Sequence, residues 1–345
     1  MNLLQSLKRP FSSLFYSLLS RAPSAWAKKL SMTFDLWAAD TRRFRKFSPM
    51  ALAFSTPPDI EQSFDLNNAG EFGNLDEESI ANLRRFVAKV HFLPDSTHLY
   101  TPPPPYAFLW GGLCSQKEFD EAVANEKRLD ELRERYHLGN KDVGVSSLVH
   151  HHGLRQLPTH ALAALQDTVF VDAGAFQGDS TLVFLQYTPR VVWAFEPSPP
   201  NQALFRANMA ANQVPDSAVR LIPQGLSDKP ATIRFAATAS SGCSLASKGR
   251  CKAELVPLDS LTPPTRIGLV KADLEGMGMS MLRGAVETIR RDKPVLSLSI
   301  YHNADEFLNT YAFLRGLGVP YHCKILSLCP PWENHELTLL AWPRN

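Results

Sequence analysis

The feature that most constrains the fold is an alternation of short apolar runs with helical patterns, which begins at Thr168 and continues to the C-terminus. Such runs are typical of strands buried on both faces, and helices between them imply a mostly parallel sheet. The predicted strands are 169–171, 191–195, 219–226, 267–272, 295–300, 321–328 and 336–342, and the predicted helices are 179–187, 201–212, 279–291 and 305–317. The last two strands are close enough in sequence to form an antiparallel hairpin, so we predict an α/β fold that ends in one.

The chain upstream of this pattern has a different texture. Helical patterns cover 76–90 and 115–138, and the second begins with a capping box from Ser115 to Glu118. Alternating residues from Val143 to Val149 predict a short strand. The length of 345 residues suits more than one domain. We therefore predict a mainly helical N-terminal region over 1–160, which would act as a cap, and a second domain over 161–345.

Composition limits the classes of partner and site. The formal net charge of +2 gives no concentrated basic surface for nucleic-acid phosphates, so we expect no nucleic-acid partner. The five cysteines show no zinc-site spacing, which predicts reduced thiols in a cytoplasmic protein and no metal. No apolar run approaches the ~20 residues that a membrane-spanning helix needs. The sequence does not indicate an oligomeric state.

The segment 1–48 is rich in Lys and Arg, and Asp35 and Asp40 are its only acidic residues. Three interpretations stay open. It resembles a mitochondrial transit peptide in composition, it has the character of an amphipathic helix in peripheral contact with anionic lipid, or it is a basic helical face packed on the rest of the protein.

Polar residues stand where the predicted strands end. Asp172, Glu196, Asp273 and His302 each follow a separate strand. Because ligands bind outside the carboxyl ends of parallel strands, we expect these four side chains to share one site. Three histidines at 150–152 precede the domain, and we expect a solvated loop there, with contact to a ligand as the alternative.

The sharpest motif is the turn from Val171 to Asp179. Small residues at 173–175 allow a ligand to approach the backbone, and a helix N-terminus follows. Gly174 and Gly178 have the spacing GxxxG, whereas a dinucleotide fold uses GxGxxG. Glu196, at the end of the next strand, suits a pair of ribose hydroxyls. The combination favours a nucleoside ligand without a pyrophosphate, such as S-adenosyl-L-methionine, over NAD.

Several segments together resemble the FkbM family of methyltransferases, over roughly residues 168–345. The segments are Val171-Asp172-Ala173-Gly174-Ala175 with Gly178-Asp179, Ala194-Phe195-Glu196-Pro197-Ser198, Asn208, Gly225-Leu226-Ser227-Asp228, Leu258-Asp259-Ser260-Leu261, Lys271-Ala272-Asp273-Leu274-Glu275-Gly276 and Leu282-Arg283-Gly284-Ala285. The chain departs from the family pattern at Met277-Gly278-Met279, where a second acidic residue is common.

The resemblance implies a class I methyltransferase (Rossmann-like) fold, S-adenosyl-L-methionine as donor, and O-methylation of a small-molecule or glycan acceptor, often at a sugar hydroxyl. The N-terminal region would then help to bind that acceptor. The resemblance also implies the cofactor-binding residues. Asp172, Gly174 and Gly178 would hold the methionine end, Glu196 the ribose, and Ser227 or Asp228 would lie near the adenine, with Ala175 and Asp179 completing the set.

The candidate catalytic residues are His302, Asp273 and Glu275. A hydroxyl acceptor loses a proton, and a histidine with an unperturbed pKa suits that role, as does Asp273 if burial raises its pKa. The alternatives are a packed, hydrogen-bonded histidine and acidic caps on the helix that begins near Met279. Two other functions stay open at this point, a non-catalytic scaffold with a degenerate methyltransferase fold and an NAD-dependent enzyme.

Overall fold

The computed structural model describes residues 72, 74–92, 116–140, 142–235, 251–329 and 336–344. The basic segment 1–48 lies outside these residues. The strands are β1 (Val169–Ala173), β2 (Val191–Phe195), β3 (Val219–Ile222), β4 (Gln224–Leu226), β5 (Ala231–Phe235), β6 (Cys251–Val256), β7 (Ile267–Ala272), β8 (Val295–Ser299), β9 (Tyr321–Ser327) and β10 (Leu337–Pro343). The helices are α1 (Glu77–Phe92), α2 (Gln116–Arg135), α3 (Val145–Leu148), α4 (Thr159–Ala163), α5 (Asp179–Phe184), α6 (Pro199–Ala211), α7 (Gly278–Arg283), α8 (Val286–Asp292) and α9 (Ala304–Gly316).

Seven strands form the main sheet, in the order β3-β2-β1-β7-β8-β10-β9. The first five are parallel to one another, while β10 is antiparallel to both β8 and β9. The order reverses between β1 and β7, and ligands bind at such a switch point. The mostly parallel sheet with its C-terminal antiparallel hairpin confirms the predicted class I methyltransferase fold.

The apolar runs arise because the sheet is buried on both faces. All five residues of β1 are buried. Val169 and Val171 belong to one apolar cluster, whereas Phe170 belongs to the cluster on the opposite face. Alternate residues of a strand point to opposite faces, so a strand covered on both sides needs an apolar residue at nearly every position.

Helix α1 lies along β9, the strand at one edge of the main sheet. The hydroxyl of Ser79 accepts a hydrogen bond from Ile325 N (2.9 Å), and Asn82 Nδ2 donates to Ile325 O (2.9 Å). Leu83 packs in the same apolar cluster as β1. The side chains of α1 therefore satisfy backbone groups that an edge strand would otherwise expose.

The segment from α2 to α4 packs on the other face of the sheet. Leu129, Leu148 and Leu154 share a cluster with Phe170 and Phe184. Residues on both sides of position 160 thus contribute to the same apolar core, and the division into 1–160 and 161–345, like the cap, stays a prediction. None of the described helices is long and apolar enough to cross a membrane.

The predicted strand at 143–149 is wrong, because α3 occupies 145–148. All four residues of α3 are buried, including Ser146 and Ser147. A helical turn buried on all sides needs no polar face, so its apolar and small residues imitate the alternation of a strand.

Two other predicted elements are divided in the structure. The predicted strand 219–226 becomes β3 and β4 in different sheets, with Pro223 between them, and a proline cannot donate to a strand ladder. The small sheet has the order β4-β6-β5 and was not predicted. The predicted helix 279–291 becomes α7 and α8, because Asp259 starts α8 by accepting hydrogen bonds from Glu287 N (3.0 Å) and Thr288 N (2.7 Å).

Candidate active site at the carboxyl ends of the strands

Asp172 is fully buried beside the first residues of α5. Its Oδ2 accepts hydrogen bonds from Ser180 Oγ (2.8 Å) and Thr181 Oγ1 (2.7 Å). Its Oδ1 lies 3.3 Å from Lys271 Nζ. These contacts fix the position of the Asp172 carboxylate, which in turn holds the turn between β1 and α5 in place.

Lys271 is a buried charged residue beside the turn, and the sequence predicted no role for it beyond its place in a motif. Its side chain is 3% exposed and donates to Gly174 O (2.8 Å). Burial opposes its charge, but the carboxylates of Asp172 and Asp273 outweigh burial and raise its pKa. Burial also raises the pKa of the nearby Asp179 to about 6. A lysine inside a fully buried strand was the available signal, because a lysine is almost never fully buried unless it is paired.

The turn after β1 needs its two glycines for close approach. Gly174 has a φ of +78°, and a Cβ atom there would lie 2.0 Å from Asp273 O. Gly178 has a φ of +87°, and its Cβ would lie 2.6 Å from the Met209 methyl group. Ala175 between them is buried and donates its N–H to Phe195 O (3.0 Å). The turn is therefore held tightly between the ends of β2 and β7.

Glu196 joins the end of β2 to this turn. Its Oε2 accepts from Phe176 N (3.0 Å) and its Oε1 from Ser198 N (2.7 Å). Burial raises its pKa to about 7. Each carboxylate oxygen has a second lone pair, so the two backbone contacts leave acceptor capacity for hydroxyl groups of a ligand.

Ser227 and Asp228 follow β4. Asp228 is exposed, and its Oδ1 accepts from Ser280 Oγ (3.0 Å) and Ser227 Oγ (3.1 Å). These two hydrogen bonds lower the pKa of Asp228. The pair is thus tied to α7, which begins after the Asp273–Gly276 turn.

His302 stands between two carboxylates. Its Nε2 lies 3.0 Å from Asp273 Oδ1 in an ion-pair contact, and its Nδ1 lies 3.0 Å from Glu306 Oε2. Burial disfavours the imidazolium, but the contacts with Asp273 and Glu306 raise the pKa of His302 well above 6.5. The expectation of an unperturbed histidine therefore does not hold in this site. Glu306, which connects His302 to α9, was missed because its position in a helical pattern resembles an ordinary surface acid.

Asp273 and Glu275 are in different electrostatic states. Burial disfavours the charge of Asp273, but His302 and Lys271 hold its pKa well below the usual range. Glu275 is in the left-handed region (φ 48°) and reaches solvent. Burial raises the pKa of Glu275, the charge of His302 opposes the rise, and the carboxylate of Asp273 adds to it. Because the side chain is exposed, solvent weakens each of these effects. Neither residue caps α7, because Gly278 N donates to Glu306 Oε1 (2.7 Å).

Two further polar groups lie beside Asp273. The hydroxyl of Tyr301 is 3.5 Å from Asp273 Oδ1 and 3.4 Å from Glu336 Oε1. The Tyr301 ring is buried and lies against the His302 ring, with 4.1 Å between the ring centroids. Carboxyl and hydroxyl groups therefore lie close together at the ends of β7 and β8 and just before β10.

The histidine run at 150–152 is not a solvated loop, and that expectation is wrong. His151 and His152 are 5% and 6% exposed, and both are left-handed (φ 52° and 50°). His151 Nδ1 contacts the Tyr187 hydroxyl (2.7 Å), and the His152 carbonyl accepts from Ser297 Oγ (2.7 Å). The run is buried because its groups find partners on β8 and in the helical turn that follows α5.

Buried polar atoms without partners test whether these residues fit adenosylmethionine. Within the described residues, Ser198 Oγ and Asn201 Oδ1 are buried and lack a hydrogen-bond partner. Asp172 Oδ1 also accepts no hydrogen bond, although it lies near Lys271. Asp172 lies near the end of β1, and Ser198 and Asn201 follow β2. At these places the atoms would suit the methionine amine and the ribose hydroxyls, so the residues fit the group. Among the described residues, no cluster of His, Cys, Asp and Glu could hold a metal ion.

Residues 172–321 match the sequence model of the methyltransferase FkbM domain. This range runs from Asp172 to the start of β9 and includes Glu196, Asp273 and His302. This part of the chain is thus an FkbM methyltransferase domain. A search of curated proteins finds no match.

Similar solved structures include methyltransferase FkbM from Methylobacillus flagellatus KT, with 17% identity and a TM-score of 0.41. That match covers 65% of this chain and 60% of the Methylobacillus chain. A putative methyltransferase from Streptococcus mutans in complex with SAH has 15% identity and a TM-score of 0.36, with 54% and 94% of the two chains covered. An rRNA methylase from Streptococcus thermophilus has 16% identity and a TM-score of 0.36, with 54% and 92% covered.

Proposed function

We propose that the protein with this FkbM methyltransferase domain is an S-adenosyl-L-methionine-dependent O-methyltransferase that acts on a hydroxyl of a sugar or glycoconjugate. One observation carries the donor assignment. Asp172, Glu196 and Asp273 end the three neighbouring strands β1, β2 and β7 around a glycine turn, with buried acceptor atoms beside them.

The residues on the donor side have distinct proposed roles. The turn at Gly174 and the fixed carboxylate of Asp172 would hold the methionine end, and Glu196 would accept the ribose hydroxyls. Ser227 and Asp228, tied to α7, would lie near the adenine. Bound adenosylmethionine supplies an electrophilic methyl group on a sulfonium, so the chain has to align an acceptor oxygen with it.

The acceptor side favours hydroxyl groups. Asp273, Glu275 and Glu336 lie around the hydroxyl of Tyr301 and act on its ionisation. Carboxylates accept hydrogen bonds from hydroxyls, which suits a polyhydroxylated acceptor such as a sugar. The N-terminal region would complete this side as an acceptor-binding region.

Of the three candidate catalytic residues, Glu275 suits the role of base best. A base needs access to the acceptor and a pKa near the working pH. Glu275 reaches solvent and has a raised pKa, whereas the pKa of Asp273 is held low and that of His302 is held high. We therefore assign Asp273 to positioning of the reacting groups and Glu275 to removal of the hydroxyl proton.

Calorimetric titration tests the donor. The protein should bind adenosylmethionine and S-adenosylhomocysteine but not NAD, and Glu196→Ala should lose on the order of 1–3 kcal/mol of donor affinity. If the wild-type protein binds neither adenosylmethionine nor S-adenosylhomocysteine nor NAD, the assignment as an enzyme is wrong and a non-catalytic scaffold is favoured.

A second experiment tests the acceptor. A donor with a deuterated methyl group, followed by mass spectrometry of cellular glycans and of RNA, distinguishes a sugar acceptor from a nucleic-acid acceptor. The cytoplasmic location stays a prediction from cysteine use.

A further inference from the structure

The row Asp273–His302–Glu306 places one acceptor on each nitrogen of a histidine ring. The His302 side chain is 7% exposed, and the Glu306 side chain is 1% exposed. The ring nitrogens are each 3.0 Å from a carboxylate oxygen, Nε2 from Asp273 and Nδ1 from Glu306. The Nδ1 contact has hydrogen-bond geometry, whereas the Nε2 contact is at ion-pair distance without it. A neutral ring protonated at Nδ1 would face the Asp273 carboxylate with the lone pair of Nε2, whereas an imidazolium carries a proton on both nitrogens.

The charges of the neighbouring groups also favour the imidazolium form of His302. A buried carboxylate is costly unless it is paired, and Glu306 has His302 as its charged neighbour within ion-pair distance. The groups outside the row that face it from the surrounding elements are Lys271 and Glu275 around β7, Tyr301 after β8, Glu336 before β10, and His152. Of these, Lys271 already neutralises Asp172. Lys271 also acts on Asp273, but among the described residues His302 is the cation within ion-pair distance of both ends of the row.

We propose that His302 is an imidazolium that joins Asp273 to Glu306, and that Glu306 is a positioning residue which acts through His302 on Asp273. In this arrangement the charge of Glu306 keeps His302 protonated, and the protonated ring keeps Asp273 ionised and fixed in place at the end of β7. His302 already carries its proton and therefore does not remove one from the acceptor. One part of this proposal rests on the proposed function, namely that Asp273 contacts the reacting groups.

A purely structural role for Glu306 has to be separated from this one. Its Oε1 accepts from Gly278 N, and its own N–H donates to Asn303 Oδ1 (2.9 Å). Asn303 Nδ2 in turn donates to Gly276 O (3.1 Å). Glu306→Gln keeps an oxygen for Gly278 but removes the charge. Asn303→Ser keeps a helix cap and the Glu306 charge but removes the contact with Gly276, so it is the matched control.

The test is NMR titration of the full chain without any ligand, which does not depend on methyl transfer. The His302 ring signal is assigned by its loss in His302→Gln, and carboxyl signals report Asp273. In wild type and in Asn303→Ser, His302 should show no titration near its ordinary ~6.5. In Glu306→Gln, the His302 midpoint should fall by at least ~1 pH unit, and the Asp273 midpoint should rise.

The double variant Glu306→Gln/His302→Gln tests whether Glu306 acts through the ring. Adding Glu306→Gln to His302→Gln should then leave the Asp273 midpoint unchanged, because the ring that transmits the effect is absent. A wild-type His302 that titrates near ~6.5 would overturn the proposal, even if a variant fails to fold. So would a Glu306→Gln protein with an unchanged Asp273 midpoint, which would leave Glu306 as a support for Gly278 alone.

Discussion

Lys271 and Asp172 are register partners on neighbouring strands, and the Nζ of one lies 3.3 Å from the Oδ1 of the other. Both side chains are almost fully buried, at 3% and 0% exposed. Lys271 also reaches Gly174 O, so one ammonium group connects the central strands to the glycine turn. The charge of the sheet interior and the shape of the site therefore depend on the same side chain.

Lys271→Met should lower the free energy of unfolding by about 3–5 kcal/mol, because it leaves buried carboxylates uncompensated. Asp172, Asp273 and Asp179 are the groups affected. Urea unfolding measures the loss. Lys324→Met is the control, since Lys324 is 30% exposed and pairs with surface acids, where such pairs contribute only about 0–1 kcal/mol. Equal losses in the two variants would contradict a buried pair at Lys271.

Glu196 should make stability depend on pH. Its pKa is about 7 in the folded protein, against an ordinary 4.5. Between these values the folded chain binds more protons than the unfolded chain, so the free energy of unfolding falls as pH rises through this window, by up to ~1.4 kcal/mol per pH unit. Glu196→Gln should flatten this part of the profile in denaturant titrations. A variant with the wild-type slope would assign the pH dependence to another group.

Most strands of the main sheet and the glycine turn after β1 followed from the sequence because both are local. A strand buried on two faces is apolar at nearly every residue, and the turn from Asp172 to Gly178 lies within one segment. The state of His302 could not be predicted in this way. It depends on Glu306 from α9 and Asp273 from β7, which only the fold brings to the two sides of one ring.

The burial of most residues in 145–154 escaped prediction for a related reason. The histidines that follow α3 have partners on distant elements, Ser297 and Tyr187, and the serines of α3 are buried with the rest of that helix. Polar residues in a short segment indicate exposure by default, and tertiary contacts reverse that default here.

Gly174→Ala should disturb both stability and donor binding. The new Cβ would lie 2.0 Å from Asp273 O, at a φ of +78° that alone costs on the order of 1–3 kcal/mol for a residue with a side chain. Thermal unfolding and calorimetry with adenosylmethionine measure the two effects. Gly316→Ala in α9 is the control, because its Cβ meets nothing within 4 Å and alanine favours a helix by up to about 1 kcal/mol. A Gly174→Ala protein as stable as the control would contradict the close approach.

Ser79→Ala should weaken the attachment of α1 to the edge of the sheet. The change leaves Ile325 N without its acceptor at a buried position, which costs about 1–3 kcal/mol. Hydrogen exchange should show faster exchange at Ile325 in the variant. Ser260→Ala, at an exposed serine that bonds Pro257 O, should leave Ile325 unchanged. Wild-type protection at Ile325 in Ser79→Ala would mean that water or another group replaces the hydroxyl.

Glu275→Gln should lower turnover by about 10²–10⁴-fold while donor affinity changes little, because a positioned base contributes about that factor to a proton transfer. The base has to lose its own proton first, so wild-type turnover should rise with pH through the raised pKa of Glu275. The pH–rate profile, measured with the acceptor identified by isotope labelling, checks this. Glu287→Gln, at an exposed acid on α8 that pairs with Arg290, should keep full turnover. Full turnover in Glu275→Gln with an unchanged pH profile would remove Glu275 from the reaction and leave Asp273 as the remaining ionised group at the end of β7.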